Sequence, residues 1–440
     1  MELHVLSGFQ RIKKINKFTA VCFGMLLLGG LIAGCTNSND SQGNSETQEE
    51  VKIPVIFTVS PQNGNKSNQK LVEAFNREYQ GQYEVEVEWI METEEEYRTN
   101  LKRQNVTDTM PAVITDLRLL PSFYQMVIKD ERVMDLAPYI EADSEWQAMV
   151  EPSVLECFVE EDGSMYLAPI STAIFSCSGM FWNENLFAKA GIYEFPETWD
   201  EFWVCCDRLK SCGITPLALH TEGTAWAPML ITSAALADTP EGEAFMKELF
   251  PESYQNENGQ NMAKILQKLF TYTTSDALHN DFDVSFDNFF SGKAAMIPNG
   301  YWMIEQIPED WRDKVRFSAF PGNKMVSSPE TFGWAVVDSY SEDVKEGAVE
   351  FLKFRTKYNQ REKAALLRTG GVGSRKALED YVNAYLGNPQ IVPNYQTKWN
   401  SIFQEETLGE YLPGLATGKI TSEEFLEAAD ASIAEYGLEN

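Results

Sequence analysis

Hydrophobic and polar positions in the first part of the chain predict strands and helices in alternation. Five elements follow one another as strand, helix, strand, helix and strand, carried in turn by residues 51–59, 71–79, 83–89, 97–101 and 112–117. The strands are apolar or alternate with a period of two, whereas the helices repeat apolar side chains every three or four residues. This order predicts a parallel sheet with a ligand crevice where its strands end. The polar stretches 60–65 and 115–118 are expected at that edge.

The later part of the chain continues as an α/β pattern. Residues 175–182 form an apolar run that predicts a buried strand. Thr198 and Glu201 form a capping box, so a helix is expected from there to about Ser211. Two further amphipathic helices are predicted around residues 262–270 and 342–352. The expected fold class is therefore α/β throughout.

Length and charge narrow the possible functions. A chain of 440 residues is too long for one compact core, so two lobes are expected. Its 43% hydrophobic and 12% aromatic residues are enough to form two buried cores. The net charge is −30. A strongly acidic chain is a poor partner for nucleic acid, because phosphate binding needs a basic face.

The N-terminus has the three-part layout of a secretory signal. Four basic residues between positions 11 and 17 precede an apolar run over residues 18–34, which ends on small residues before Cys35. The ending Leu-Ile-Ala-Gly-Cys resembles a bacterial lipobox, which implies lipidation of Cys35 and removal of residues 1–34. An uncleaved membrane-anchor helix is the alternative, although the run is short for a bilayer. Residues 35–50 lack large apolar side chains and are expected to be a flexible tether.

Five cysteines remain beyond residue 35, and their spacing matches no disulfide framework. Cys206 lies at helical spacing from Phe202 and Leu209, which predicts a core position. A disulfide among Cys205, Cys206 and Cys212 stays open. Only His220 and His279 would remain after processing, so neither a metal site nor a cofactor is expected.

Several segments resemble family 1 of the extracellular solute-binding proteins of ABC importers, which includes the maltose- and multiple-sugar-binding proteins. The segments that carry the resemblance occur in order, as residues 162–169 (DGSMYLAP), 181–192 (FWNENLFAKAGI), 196–202 (PETWDEF), 209–218 (LKSCGITPLA) and 290–302 (FSGKAAMIPNGYW). The resemblance extends over nearly all of residues 51–440. The hinge stretch 170–173 lacks the acidic residue of maltose-type members, so the identity of the sugar stays open.

The resemblance implies a two-lobed, periplasmic-binding-protein-like fold with a ligand cleft between its lobes. The expected N-terminal lobe comprises residues 51–170 and 320–359, and the C-terminal lobe residues 171–319 and 360–440. It further implies a monomeric subunit that captures a carbohydrate, expected to be an oligosaccharide, and delivers it to the transmembrane permease. With the lipid on Cys35, the protein would be held at the extracellular face of the bacterial cell membrane.

Candidate ligand-binding residues are aromatic plates and polar groups near the predicted crevice. Tryptophan offers a rigid apolar face to the C–H side of a sugar, and carboxylate or amide groups bind its hydroxyls. Trp302 occupies the position at which the family carries a stacking tryptophan. The other candidates, each also compatible with an ordinary structural role, are Trp226, Trp334, Asp116, Asn63, Asn65 and Glu222.

Three other functions are weighed against this one. A carbohydrate-active enzyme would need two positioned carboxylates, and no nucleophile elbow, zinc motif or phosphate loop accompanies the many acidic residues. A binding protein for a peptide or a polyamine remains open, since aromatic cages also hold cations. A sensor accessory that docks on a receptor would bind the same ligand.

Overall fold

The computed structural model describes residues 50–58, 65–90, 94–248, 250–373, 375–395 and 399–439. The predicted signal, Cys35, the tether up to residue 49 and Asn63 lie outside the described residues. The strands are β1 (Val51–Thr58), β2 (Tyr83–Ile90), β3 (Val113–Ile114), β4 (Cys177–Asn183), β5 (Thr215–Leu217), β6 (Ala294–Gly300), β7 (Val315–Ser318), β8 (Lys324–Ser327), β9 (Ala335–Val336) and β10 (Gln390–Pro393).

Helices separate and cover these strands. They are α1 (Lys66–Glu78), α2 (Glu94–Thr107), α3 (Pro121–Lys129), α4 (Ala137–Ala142), α5 (Ser144–Met149), α6 (Pro152–Leu155), α7 (Glu184–Lys189), α8 (Trp199–Ser211), α9 (Trp226–Leu236), α10 (Pro240–Lys247), α11 (Glu257–Leu269), α12 (Phe282–Phe290), α13 (Glu342–Thr369), α14 (Lys376–Leu386), α15 (Leu412–Ala416) and α16 (Ser422–Glu439). A π-helical segment, Phe403–Tyr411, precedes α15.

The first sheet has the strand order β2-β1-β3-β9. β1 pairs in parallel with both β2 and β3, which confirms the parallel sheet expected from the sequence. Alternate residues Ile53, Val55 and Phe57 of β1 are buried. Helix α1 covers the sheet with Leu71 and Phe75, as its apolar spacing predicts.

The second sheet has the order β10-β8-β4-β6-β5, and β7 pairs with β4 beside it. Every residue of β4 is buried, which confirms the buried strand predicted there. The predicted capping box also forms: the Thr198 hydroxyl accepts from the Glu201 amide, and the Glu201 carboxylate accepts from the Thr198 amide. The fold is α/β, as expected.

Two separate groups of buried side chains define two lobes. One core is built from residues 53–170 and 334–354, around the first sheet. The other buried clusters lie around the second sheet and under the C-terminal helices. The chain therefore passes from the first lobe to the second and back before it ends in the second.

The lobe boundaries differ from the predicted ones in two places. β8 pairs with β4 and β10, so residues 324–327 belong to the second sheet, although residues 320–359 were expected in the first lobe. The chain rejoins the first sheet only at β9, which pairs with β3. The predicted boundary at residue 359 falls inside α13. This helix packs Phe351 into the first core and Leu366 into the second lobe.

The cysteines of the described chain are free thiols, including Cys205, Cys206 and Cys212. Cys206 is fully buried among the apolar residues around α8, which confirms its predicted core position. Burial raises the pKa of Cys205 to about 12, so this thiol stays protonated at neutral pH. None of the helices in the described chain has both the length and the apolar character needed to cross a membrane.

Candidate ligand-binding cavity

A cavity of about 520 Å³ lies between the two lobes. Its size falls within the roughly 300–1,000 Å³ typical of small-molecule sites, which are often found at such domain interfaces. The first lobe contributes Arg98 and Asp116, among others, and the second contributes residues from β4, α9 and α12. The segment that returns to the first lobe adds Thr331 and Phe332. A ligand in this cavity would contact both lobes.

Four aromatic side chains, here called the aromatic wall, line the cavity: Phe282, Trp226, Trp302 and Phe332. The Trp226 ring centroid lies 5.9 Å from that of Phe282 and 6.3 Å from that of Trp302. The Trp302 and Phe332 centroids are 5.3 Å apart. All four rings are half-buried, so each packs on its neighbours and keeps part of its surface open.

Trp302 is held in place by the backbone at Gly300, the last residue of β6. A Cβ atom at Gly300 would lie only 2.0 Å from Cζ3 of the Trp302 indole. The indole therefore folds back against the strand end in space that only glycine leaves free. Gly300 and Trp302 together fix the position of the wall's central ring.

Polar side chains of the cavity are mainly acidic. Asp116 follows β3 in a left-handed conformation with φ of 60°, and its carboxylate lies 4.0 Å from the Arg98 guanidinium. Among the described residues, the charged groups that line the cavity are five carboxylates and two cations, namely Asp116, Glu222, Asp281, Asp283, Glu405, Arg98 and Lys102. The cavity is therefore a negative environment that favours neutral or cationic ligands.

His220 lies on the floor of the cavity and is 1% exposed. Its ring meets that of Trp226 edge to face, with the centroids 4.7 Å apart. Its Nδ1 atom lies 3.0 Å from Oγ of Ser285. Burial lowers the pKa of His220 to about 3, so the imidazole is neutral at neutral pH.

Direct hydrogen bonds also join the lobes outside the aromatic wall. The amide and hydroxyl of Ser122, at the start of α3, donate to the Glu405 carboxylate at 3.1 and 2.9 Å. Gln125, one turn later, donates to the hydroxyl of Tyr436 at 2.6 Å. A carboxylate at a helix N-terminus is stabilised by the helix dipole. These contacts join the first lobe to the second.

Four of the predicted site residues line this cavity: Trp302, Trp226, Asp116 and Glu222. The structure brings them together from segments far apart in the sequence. The prediction missed His220, Phe282 and Phe332. His220 lies two residues after the segment 209–218 (LKSCGITPLA), and that position was the signal in the sequence that could have pointed to it.

The other predicted site residues lie elsewhere. Trp334 is 7% exposed and packs in the first core, 5.3 Å from Phe57 and beneath the Arg355 guanidinium. The Asn65 side chain donates to the carbonyl of Thr58 at 2.8 Å and so joins β1 to the start of α1. Asn63 belongs to the residues that are not described. In the described part of the chain, no cluster of three or more His, Cys, Asp or Glu residues is arranged to hold a metal ion.

The two-sheet, two-lobed architecture with a cavity between its lobes is that of a protein that binds a small molecule at a domain interface. Residues 70–384 match the family model described as bacterial extracellular solute-binding protein, and the chain belongs to that family.

Curated relatives carry sugar-binding names. The multiple sugar-binding protein of Streptococcus mutans is 29% identical over 174 residues, which cover 36% of this chain and 39% of the relative. A protein of Rhizobium meliloti named "Probable sugar-binding periplasmic protein" is 27% identical over 167 residues, or 37% and 38% of the two chains. The chain thus spans less than two fifths of the length of these relatives.

Solved structures cover the fold almost completely. A chitin oligosaccharide binding protein superposes with a TM-score of 0.68 at 19% identity, covering 88% of this chain and 99% of that one. A Streptococcus pneumoniae solute-binding protein in complex with the blood group A-trisaccharide also gives 0.68, at 18% identity and with 86% and 98% covered. At these identities the similarity establishes the two-lobed fold.

Proposed function

We propose that this chain is the substrate-binding subunit of an ABC importer, which captures a carbohydrate between its lobes and delivers it to the permease. The observation that carries the proposal is the aromatic wall, which lines the cavity between the lobes together with five carboxylates. The flat C–H faces of a sugar pack on such rings, and its hydroxyls donate to the acidic groups. The family and the names of the curated relatives support the same ligand class.

Within this proposal, Trp302 and Trp226 are the principal stacking surfaces. Both are half-buried, adjacent and part of the cavity lining, so part of each ring remains open to a ligand. Asp116 from the first lobe and Glu222 from the second are assigned to ligand hydroxyls, and together they bridge the cleft. Asn65 and Trp334 are left out of the proposed site because they serve the packing of the first lobe.

An oligosaccharide fits this wall better than a single sugar does. Four rings succeed one another at centroid separations of 5.3–6.3 Å, which is more aromatic surface than one pyranose covers. Neighbouring folds in complex with or named for oligosaccharides are consistent with an extended ligand. The chain is proposed to act as a binding protein and not as an enzyme.

We further propose that Cys35 carries a lipid that holds the protein, as a monomer, at the outer face of the cell membrane. The support is the lipobox-like sequence that ends in Cys35 and the polar tether that follows it. Mass spectrometry of the N-terminal peptide from the native host tests this directly. A diacylated Cys35 is expected, and an unmodified Met1 start would refute the anchor.

The test of the ligand class is a thermal-shift screen followed by calorimetric titration. The panel contains raffinose, maltotriose, N,N′,N″-triacetylchitotriose, their monosaccharides, a tripeptide and spermidine. A ligand at a hundred times its dissociation constant stabilises the protein by about 2.7 kcal/mol, which is readily detected. Trp302→Ala should then weaken sugar binding about tenfold or more. Trp203→Ala is the matched control, because Trp203 is also half-buried in the second lobe but packs on Tyr272.

A polyamine is the second candidate ligand. The five carboxylates and two cations that line the cavity favour a cationic guest, and aromatic rings also stabilise ammonium groups. Stabilisation by spermidine, with no response to any sugar, would select this candidate. A response to sugars alone would exclude it.

A further inference from the structure

His220 is a buried polar residue on the cavity floor for which the proposed stacking interactions provide no role. It belongs to neither lobe's hydrophobic clusters, although its ring packs edge to face against the rings of both Trp226 and Phe282. Three charged side chains line the same cavity near it along the chain or at the start of α12, namely Glu222, Asp281 and Asp283. The hydrogen bonds around the ring decide which of its nitrogen atoms carries the proton.

Ser285 fixes the tautomer of His220. The Ser285 hydroxyl has one proton, which it donates to the carbonyl of Phe282 at 2.8 Å, since a carbonyl oxygen can only accept. At 3.0 Å from His220 Nδ1, the same hydroxyl oxygen must therefore accept. Nδ1 carries the proton, and in a neutral imidazole Nε2 is then a bare lone pair.

That lone pair is an unused acceptor inside the protein. Within the described chain, His220 Nε2 is buried and has no hydrogen-bond partner. A buried acceptor without a partner is unfavourable, so such groups are usually retained for a reason. The low pKa that burial gives His220 keeps Nε2 available as an acceptor at neutral pH.

We propose that His220 Nε2 accepts a hydrogen bond from one hydroxyl group of a ligand that is stacked on Trp226, and that this contact makes His220 a specificity-determining residue. The inference rests on the proposed carbohydrate function and adds a directional requirement to it. A stacked sugar must present an O–H donor above the edge of Trp226. Analogues that lack this hydroxyl, or carry a methyl ether there, are rejected.

The test compares two variants of the full-length protein. His220→Phe keeps a ring packed against Trp226 and Phe282 and removes the acceptor, whereas His220→Gln places an amide oxygen within reach of the same position. Titrations use the panel sugar that binds the wild type most tightly among raffinose, maltotriose and triacetylchitotriose. His220→Phe should lower affinity at least tenfold without lowering the melting temperature of the unliganded protein, and His220→Gln should retain most of the affinity.

A second measurement uses the wild-type protein, so it does not depend on whether a variant folds. In ¹⁵N-labelled wild type, the Nε2 resonance of His220 should move towards the hydrogen-bonded range when the sugar is added. Wild-type affinity in His220→Phe, or an Nε2 resonance that does not move on saturation, would overturn the inference and leave the proposed function standing. No binding of any sugar by the wild type would overturn both.

Discussion

Substitution of Gly300 by alanine should weaken ligand binding although residue 300 itself makes no contact with the ligand. Gly300 has φ of −117° and ψ of −171°, an extended conformation that any residue adopts. The substitution therefore introduces no backbone strain. Its new Cβ atom would lie 2.0, 2.2 and 2.5 Å from three carbon atoms of the Trp302 indole. The indole must move, and the centre of the aromatic wall moves with it.

The size of the effect follows from the contacts that Trp302 would lose. Displacing the indole disturbs its packing on Trp226 and on Phe332, each worth about 0.5–1.5 kcal/mol as an aromatic pair. Overpacking at a filled site costs about 1–3 kcal/mol in general. These costs should appear in the free energy of unfolding. The affinity falls because the displaced indole no longer stacks on the ligand, so we expect a loss similar to the about tenfold or more expected for Trp302→Ala.

A double-mutant cycle with Trp302→Ala, measured by calorimetric titration of the best sugar, separates the mechanism from a general loss of structure. If Gly300→Ala acts through the indole, it has no further effect once Trp302 is alanine. Gly437→Ala is the control, because a Cβ at that exposed position of α16 meets no atom within 4 Å. Additive losses in the cycle, or unchanged affinity in Gly300→Ala, would refute the reasoning.

Three further changes test other parts of the structure. Glu405→Gln removes the charge that accepts both hydrogen bonds of Ser122, so it should destabilise the contact between the lobes by about 1 kcal/mol. We expect about a fivefold weaker sugar affinity in a titration. X-ray scattering should show a larger radius of gyration. Burial lowers the pKa of His220 to about 3 in the folded protein, against about 6.5 in the unfolded chain, so the unfolded chain binds the proton first. Stability to urea should therefore fall below pH 6.5 by up to about 1.4 kcal/mol per pH unit. Arg355→Lys loses the planar donor to the Phe332 carbonyl and should reduce the free energy of unfolding by about 2 kcal/mol in a urea titration.

A different result would contradict each of these three predictions. Glu410→Gln, at an exposed position of the same π-helical segment, should leave affinity unchanged, and an equal loss there would mean that net charge and not the Ser122 contact matters. For His220, the wild type and His220→Phe should diverge below pH 6.5, and parallel curves would contradict its burial as a neutral group. An Arg355→Lys variant as stable as the wild type would contradict the role of the guanidinium plane.

Local patterns predicted most of the elements. The apolar run of β1, the alternating residues of β2 and the helical spacing in α1 are set by neighbours within one element, so the sequence displays them directly. The capping box of α8 is equally local, because Thr198 and Glu201 satisfy each other's backbone amides. Such features depend little on the rest of the chain.

The partners of short strands could not be predicted in the same way. β8 is four residues long and entirely buried, so it has no alternation to show which sheet it joins. Its pairing with β4 and β10 is decided by segments more than sixty residues away in the chain. The return of the chain to the first lobe was therefore predicted too early, at residue 320 instead of β9. The role of Trp334 was left open for a related reason, since an aromatic residue beside a glycine fits a cleft and a core equally well, and the structure places it in the first core.

The cavity itself shows why a site of this kind is only partly visible in a sequence. Trp302 and Trp226 could be proposed because each follows a recognisable motif. His220, Phe282 and Phe332 come from three separate segments and meet only after folding. The unused acceptor on His220 is more hidden still, because it depends on a hydroxyl of Ser285, which is itself an ordinary helix residue.

Phe332 links the ligand cavity to the closure of the lobes. Its ring packs on Trp302 of the second lobe, while its carbonyl accepts a hydrogen bond from Arg355 on α13. Two residues later, Trp334 pairs with Ala168 and enters the first core. A ligand shifts the balance between open and closed lobes only through contacts that differ between the two states. Because Phe332 is tied to both lobes, stacking of a ligand on this ring favours closure, and Arg355 should influence affinity without lining the cavity.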